Sequence, residues 1–128
     1  GEDLVVDSQG NVIITGLFAG TVDFDMSSAG VFNMTSAGQD DGFVAKYNAS
    51  GDFLWAKQFG GTASDFGHGI TVDLNDNVVV TGSFEETADF LPGSGGPTFV
   101  SQGLKDMFIL KLDANGLLDW VVNLGGTG

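Results

Sequence analysis

The chain repeats itself once, and this internal repeat constrains its fold more than any other feature. Residues 4–24 align with residues 70–90 at an offset of 66, with identities such as Val6/Val72 and Thr15/Thr81. Residues 41–62 align with residues 106–127 at an offset of 65. A repeat of this period indicates that each copy is one supersecondary unit that cannot bury its apolar side alone. Each copy is therefore expected to pack against a neighbour.

The repeat divides the chain into two units, residues 1–63 (repeat 1) and residues 64–128 (repeat 2). In both, runs rich in Val, Ile, Phe and Thr alternate with Gly, Asn and Asp, a pattern typical of short strands joined by tight turns. Four strands are predicted in each repeat, at residues 4–7, 11–18, 43–47 and 53–59 and at residues 70–73, 77–84, 108–112 and 117–124. The stretches 25–40 and 91–105 differ most between the repeats, and each is either a long surface loop or an extra edge hairpin.

Four-stranded antiparallel repeats arranged around an axis form a β-propeller, usually of about 4 to 8 blades. Two blades alone would leave apolar sheet faces and strand edges exposed to solvent. The predicted fold is therefore all-β, with two four-stranded antiparallel β-propeller blades that are part of a larger propeller or of an oligomeric ring. The expected partners are neighbouring blades, supplied by homo-oligomerisation or within a longer chain or fibre.

Composition excludes several classes of function. With 17 acidic residues, 4 cationic residues and a formal charge of −13, binding to nucleic acid or to an anionic membrane surface is disfavoured. The absence of cysteine excludes disulfides and thiolate catalysis within this sequence. No apolar run approaches the roughly 20 residues of a membrane-spanning helix, and an export signal would lie outside this sequence. We therefore expect neither nucleic-acid binding nor membrane insertion.

A longer motif runs from Gly60-Gly61 through Asp65 to Ile70-Thr71-Val72-Asp73, Asn77 and Thr81-Gly82. It resembles the bacterial and archaeal β-propeller repeat called SBBP. The second half of that pattern is matched in both repeats, by Asp41, Phe43, Val44, Lys46, Gly51 and Trp55 and by Asp106, Phe108, Lys111, Gly116 and Trp120. Asp76 stands where the family usually has glycine, at a turn position. The resemblance implies an exported or cell-surface protein of tandem blades, in a family without a common enzymatic chemistry.

The acidic turns make calcium a metal to consider. Residues 73–77 begin like a calcium-binding loop, but Val78 and Phe84 stand where that loop needs its glycine and its bidentate glutamate. The calcium candidates are Asp7, Asn11, Asp73, Asn75 and Asn77. The alternative is that Asp7 and Asp73 accept hydrogen bonds from turn amides, while Asn11 and Asn77 adopt the left-handed conformation. No cofactor and no catalytic residue is predicted.

Lysine and tryptophan each occupy one equivalent strand position per repeat. Lys46 and Lys111 lie within apolar strands, so each is expected to pair with a carboxylate such as Asp23 or Asp89. Trp55 and Trp120 are expected to pack between blades, the alternative being a platform for stacking sugars.

The function expected from these observations is that of a non-enzymatic, extracellular or cell-surface β-propeller module. It would act as a structural or adhesive repeat. The alternative is a calcium-dependent or carbohydrate-binding, lectin-like propeller module, with a glycan or a surface protein as ligand. A hydrolase is disfavoured because the shared acidic positions recur in both repeats, whereas an active site usually breaks such symmetry.

Overall fold

The computed structural model describes residues 3–25, 31, 33–35, 40–61, 65–84, 87–90, 98–100 and 106–124. Every regular element in this part of the chain is a β-strand. Repeat 1 contains β1 to β6 and repeat 2 contains β7 to β12. The strands are β1 Asp3–Val6, β2 Val12–Phe18, β3 Thr21–Asp23, β4 Asn33–Thr35, β5 Asp41–Tyr47, β6 Phe53–Gly61, β7 Asp65–Val72, β8 Val78–Phe84, β9 Thr87–Phe90, β10 Thr98–Val100, β11 Asp106–Leu112 and β12 Leu118–Leu124. The prediction of an all-β, antiparallel chain is confirmed.

The four long strands of each repeat follow one another in the same antiparallel order. In repeat 1 the order is β1-β2-β5-β6, and in repeat 2 it is β7-β8-β11-β12. The register is also the same, since Lys46 lies opposite Trp55 and Lys111 lies opposite Trp120. A register shift follows directly after each of these lysines. The two copies therefore share topology as well as sequence.

The stretches between the second and third long strands contain short paired strands. β3 pairs with β4, and β9 pairs with β10, so a hairpin is observed in the described residues, but its first strand lies before the predicted stretches 25–40 and 91–105. β9 also pairs with β6 of repeat 1, with Phe59 opposite Phe90. The first sheet is consequently six-stranded, β1-β2-β5-β6-β9-β10, and includes two strands of repeat 2. This differs from the expectation of one separate four-stranded sheet per repeat, because a strand of one repeat extends the sheet of the other.

Two apolar clusters hold these sheets together. The larger cluster lies between the repeats and joins Ile13, Val44 and Phe59 of repeat 1 to six residues of repeat 2, namely Val78, Val80, Phe84, Phe108, Leu110 and Leu112. All nine side chains in it are fully buried. Across the contact, the rings of Phe59 and Phe108 meet edge to face with centroids 4.9 Å apart. The repeats thus stack face to face, as the period predicted.

The smaller cluster lies within repeat 1, on the opposite side of its sheet. There Phe24 and Met34, from the segment of the β3–β4 hairpin, pack on Phe43 and Ala45 of β5. Tyr47 Oη donates a hydrogen bond to the carbonyl of Phe24 at 2.7 Å. The hairpin therefore covers part of the face that points away from repeat 2. In the part of the chain that the structure describes, there is no helix long and apolar enough to cross a bilayer.

Candidate functional site: the contact between the two repeats

The turn between the first two strands of each repeat is built around an aspartate. Asp7 Oδ1 accepts hydrogen bonds from the amides of Gln9 and Asn11, both at 2.9 Å, and Oδ2 accepts one from Asn11 Nδ2 at 3.0 Å. In repeat 2, Asp73 accepts the corresponding three bonds, from the amides of Asn75 and Asn77 and from Asn77 Nδ2. The prediction that these aspartates accept bonds from turn amides is confirmed.

The residue with the left-handed conformation is a different one from that predicted. Gly10 has φ 82° and Asp76 has φ 63°, whereas neither Asn11 nor Asn77 has a positive φ. In a three-residue hairpin loop, the last loop residue takes the left-handed conformation, and that residue precedes the asparagine. The asparagines contribute their side-chain amides instead. Asp76 therefore adopts the conformation that the family usually gives to glycine.

Each strand lysine pairs with the aspartate of this turn. Lys46 Nζ lies 3.2 Å from Asp7 Oδ2, and the two side chains are only 6% and 1% exposed. Lys111 Nζ lies 3.5 Å from Asp73 Oδ2 and 3.9 Å from Asp119 Oδ2. The prediction of an acidic partner is confirmed, but Lys46 pairs with Asp7 rather than with Asp23, and the side chain of Asp89 lies outside the described residues.

The strand register explains the partner of Lys46. It lies opposite Ile13, one position into β2, so its side chain reaches the turn that precedes this strand. Asp23 lies instead on β3, which pairs with β4 outside this sheet. Sequence distance alone could not distinguish the two acids.

The buried pair of repeat 1 also binds a backbone carbonyl of repeat 2. Lys46 Nζ donates to the carbonyl oxygen of Ala114 at 3.1 Å, and Trp55 Nε1 donates to the same oxygen at 3.2 Å. We call Asp7, Lys46 and Trp55 the carbonyl clamp. Its indole lies over Gly116, where an added Cβ would come within 2.7 Å of the ring atom Cδ2. The prediction that tryptophan packs between repeats is confirmed for Trp55.

Electrostatics keep the Asp7 carboxylate ionised despite its burial. Burial by itself raises the pKa of Asp7, but hydrogen bonds from Asn11, from the Gln9 amide and from Lys46 outweigh it, so the net pKa is lowered. The pKa of Asp73 is also lowered, first by the hydrogen bond from the Asn77 side chain and then by the turn amides and Lys111. Both acids are therefore charged at neutral pH, as ion pairs with lysine require.

A polar cavity of about 480 Å³ lies beside the clamp. Clamp residues line it together with Asp76, Ala114 and Asn115 of repeat 2. Asp76 also bonds to repeat 1, because the Ser8 amide donates to Asp76 Oδ1 at 3.0 Å and the Ser8 hydroxyl donates to Asp76 Oδ2. These groups form hydrogen bonds between the repeats, so the polar groups of the site hold the two repeats together.

The structure does not gather the calcium candidates into one site. Asp7 and Asn11 lie in the turn of repeat 1, while Asp73, Asn75 and Asn77 lie in that of repeat 2. The carboxylates accept N–H donors and a lysine ammonium, and the described residues contain no group of three or more His, Asp or Glu suited to a metal. Calcium binding by these residues stays a prediction.

The same three side chains recur in repeat 2, where no turn among the described residues covers them. Asp73, Lys111 and Trp120 occupy the positions of Asp7, Lys46 and Trp55, but the Lys111 and Asp73 side chains are 23% and 34% exposed. Trp120 is 41% exposed. By sequence the two sets are equivalent. The Ala114 carbonyl was not predictable because a backbone acceptor leaves no signal in side-chain type, although Gly116 marks the close approach.

Comparison with known proteins agrees with this architecture. The profile of the SBBP family, a beta-propeller repeat, matches residues 54–83, which run from β6 into β8. An uncharacterized WD repeat-containing protein, L264 of Acanthamoeba polyphaga mimivirus, is 30% identical over 150 aligned residues, covering 100% of this chain and 11% of the relative. Regulatory protein FlaEY of Caulobacter vibrioides is 32% identical over 89 residues, covering 70% of this chain and 9% of the relative. The chain thus spans about a tenth of the length of these curated relatives.

The topology and the similarities together define the class: this is an all-β protein with antiparallel sheets and an internal repeat, and its architecture is consistent with propeller repeats. The matched profile then names the family for one segment: residues 54–83 match a β-propeller repeat of the SBBP family. Propeller repeats of these kinds are generally structural or interaction modules within larger chains.

Proposed function

We propose that each repeat is one four-stranded β-propeller blade, and that the chain is a stretch of a larger propeller or ring. Its role is that of a non-enzymatic structural or adhesive module outside the cell or at its surface. The observation that carries this proposal is the stacking of repeat 1 on repeat 2. A fully buried apolar cluster and the carbonyl clamp join two units of identical strand order.

The charge and the site support a structural role. The acids of both turns are occupied by turn amides and lysine, so they serve to fix the turns and the contact between the units. A formal charge of −13 opposes association with other anionic molecules and favours solubility. A module that carries contact surfaces on a rigid sheet is better suited to adhesion or display than to catalysis.

Two measurements test this function. The first is the heat stability of the chain with added calcium and with a panel of glycans, where the structural role predicts no change in Tm. A reproducible rise in Tm with either ligand would favour the lectin-like alternative, because only ligand binding to the folded state stabilises it. The second is protease accessibility of the parent protein on intact cells that make it. Complete protection would contradict the surface location.

A further inference from the structure

The contact between the repeats has two sides, and each repeat carries both. The face of repeat 1 that meets repeat 2 is the stacking face, and it displays Ile13, Val44, Lys46, Trp55 and Phe59. The side of repeat 2 that meets it is the turn side, formed by the 113–116 turn and by Val78, Val80 and Leu112. By the repeat alignment, repeat 2 has its own stacking face and repeat 1 has its own turn side.

The stacking face of repeat 2 is uncovered in the described structure. Ile13 and Val44 are fully buried in repeat 1, whereas their equivalents Val79 and Ile109 are only partly buried. On the same face, Met107 is 55% exposed and Val122 is 42% exposed. Together with Trp120, they form a contiguous run of apolar groups, of the kind that marks an interaction surface.

The β3–β4 hairpin covers part of the turn side of repeat 1, and the part beside the 48–51 turn is open. An apolar cavity of about 400 Å³ lies there, lined by Val12, Ile14, Tyr47 and the 48–51 turn. Its equivalents in repeat 2, Val78, Val80 and Leu112, are fully buried under repeat 1. The stacking face of repeat 2 and the turn side of repeat 1 are the two halves of one interface, and both have exposed parts on the outer sides of the stacked repeats.

The 48–51 turn has the same build as the turn that repeat 1 already binds. In both turns the fourth residue is a glycine whose amide donates to the carbonyl of the first, from Gly51 to Asn48 at 2.9 Å and from Gly116 to Asp113 at 3.0 Å. The two glycines have φ 86° and φ 83°. Open space surrounds Gly51, whereas the ring of Trp55 lies against Gly116. The 48–51 turn therefore has the same backbone shape as the 113–116 turn that the carbonyl clamp binds.

We propose that a second copy of this chain docks its repeat 1 on the stacking face of repeat 2, and this proposal rests on the proposed function. The 48–51 turn of the incoming copy takes the place that the 113–116 turn takes on repeat 1. Lys111 and Trp120 then donate to the carbonyl oxygen of Ala49, and the indole of Trp120 covers Gly51. The contact is head to tail, so it builds a closed ring or an open series of copies.

One pair of substitutions separates this docking from general stickiness of an apolar surface. Ile109 corresponds to Val44, which is fully buried in the observed contact, and Val122 corresponds to Lys57, which is a lysine only partly buried beside that contact. Ile109→Lys therefore places a charge where the docked unit leaves no space. Val122→Lys reproduces a side chain that the observed contact already accommodates.

The test is sedimentation velocity of the full chain over a range of concentrations, at salt high enough to screen repulsion between copies of charge −13. The wild-type chain should associate, Ile109→Lys should raise the dissociation constant by roughly tenfold or more, and Val122→Lys should change it less than about threefold. Circular dichroism of each variant confirms that its strands are formed.

Two outcomes overturn the proposal. A folded wild-type chain that stays monomeric at every concentration removes the second copy as occupant, and equal loss of association in both lysine variants shows that the contact does not follow the repeat register. Either result leaves the calcium, glycan and surface-location tests of the proposed function unaffected. Failure of the docking and failure of the function are therefore distinguishable.

Discussion

The carbonyl clamp of repeat 1 and its equivalent in repeat 2 have the same three residue types in the same strand register, yet only the first is buried. Asp7 is 1% exposed in its side chain, and Asp73 is 34% exposed. The difference does not lie in the strands that carry the residues, because their pairing is the same. It lies in the turn of repeat 2, which covers one set and has no described counterpart over the other. The sequence of each repeat therefore supplies the aspartate, lysine and tryptophan, and the turn of a neighbouring repeat is needed to bury them.

The largest expected difference between the two sites comes from removing their acids. Asp7→Ala should lower the free energy of unfolding by about 4 kcal/mol, because it leaves Lys46 buried without its carboxylate and removes the turn bonds. Asp73→Ala removes an equivalent but solvent-exposed acid and should cost markedly less. Urea unfolding at neutral pH measures both. Equal losses would show that cover by the neighbouring turn has no effect on the pair.

The two turn glycines provide the next comparison. Gly116→Ala should cost about 3 kcal/mol, since an alanine at positive φ is strained and its Cβ also meets the Trp55 ring. Gly51→Ala carries only the backbone strain, about 1 kcal/mol, when measured at a dilution where copies do not associate. Thermal and urea unfolding of the pair report the difference. A Gly51→Ala loss as large as that of Gly116→Ala would contradict the open space around Gly51.

A smaller effect is expected from the indole donors. Trp55→Phe keeps an aromatic ring over Gly116 but removes the hydrogen bond to Ala114, so it should destabilise the chain by about 1 kcal/mol. Trp120→Phe in dilute chain should change stability by less than about 0.5 kcal/mol, because Trp120 is half exposed. Chemical denaturation of the two variants gives both numbers. A larger loss for Trp120→Phe than for Trp55→Phe would contradict the burial of Trp55 at the contact and the exposure of Trp120.

The smallest expected effect is a change in how steeply the free energy of unfolding depends on pH. The pKa of Asp7 is lower in the folded chain than its ordinary value of 3.8, so its contribution to stability is complete above that value. As the pH falls below 3.8 towards the lower folded pKa, the unfolded chain takes up protons first and the contribution is lost. Asp7→Asn should therefore flatten the decline of the unfolding free energy in this range. An unchanged acid slope would mean that Asp7 titrates alike in both states.

The fold was largely predictable from sequence because the repeat and the strand patterns are local signals. Runs such as Val78-Val79-Val80 placed the long strands to within a few residues of their observed bounds. The pairing of β9 with β6 was not predictable in this way, since it joins residues of different repeats through backbone groups. The boundary predicted between residues 63 and 64 falls outside the described residues and stays a prediction.

The candidate site was predictable only in its side chains. The lysines and tryptophans stood out because each occurs once per repeat at the same strand position. Their shared acceptor, the Ala114 carbonyl, belongs to a distant turn, and choosing Asp7 over Asp23 required the three-dimensional course of β1 and β2. Both features depend on which distant residues the fold brings together, and residue type alone does not give that information.

The most direct test of the contact between the repeats is a double-mutant cycle of Trp55→Ala and Gly116→Ala, measured by chemical denaturation of dilute chain. Removing the indole relieves the collision with the new Cβ, so a coupling free energy of about 1.5 kcal/mol or more is predicted. The matched cycle of Trp120→Ala and Gly51→Ala should be additive within about 0.5 kcal/mol. Additivity in the first cycle would contradict the stacking of repeat 1 on repeat 2.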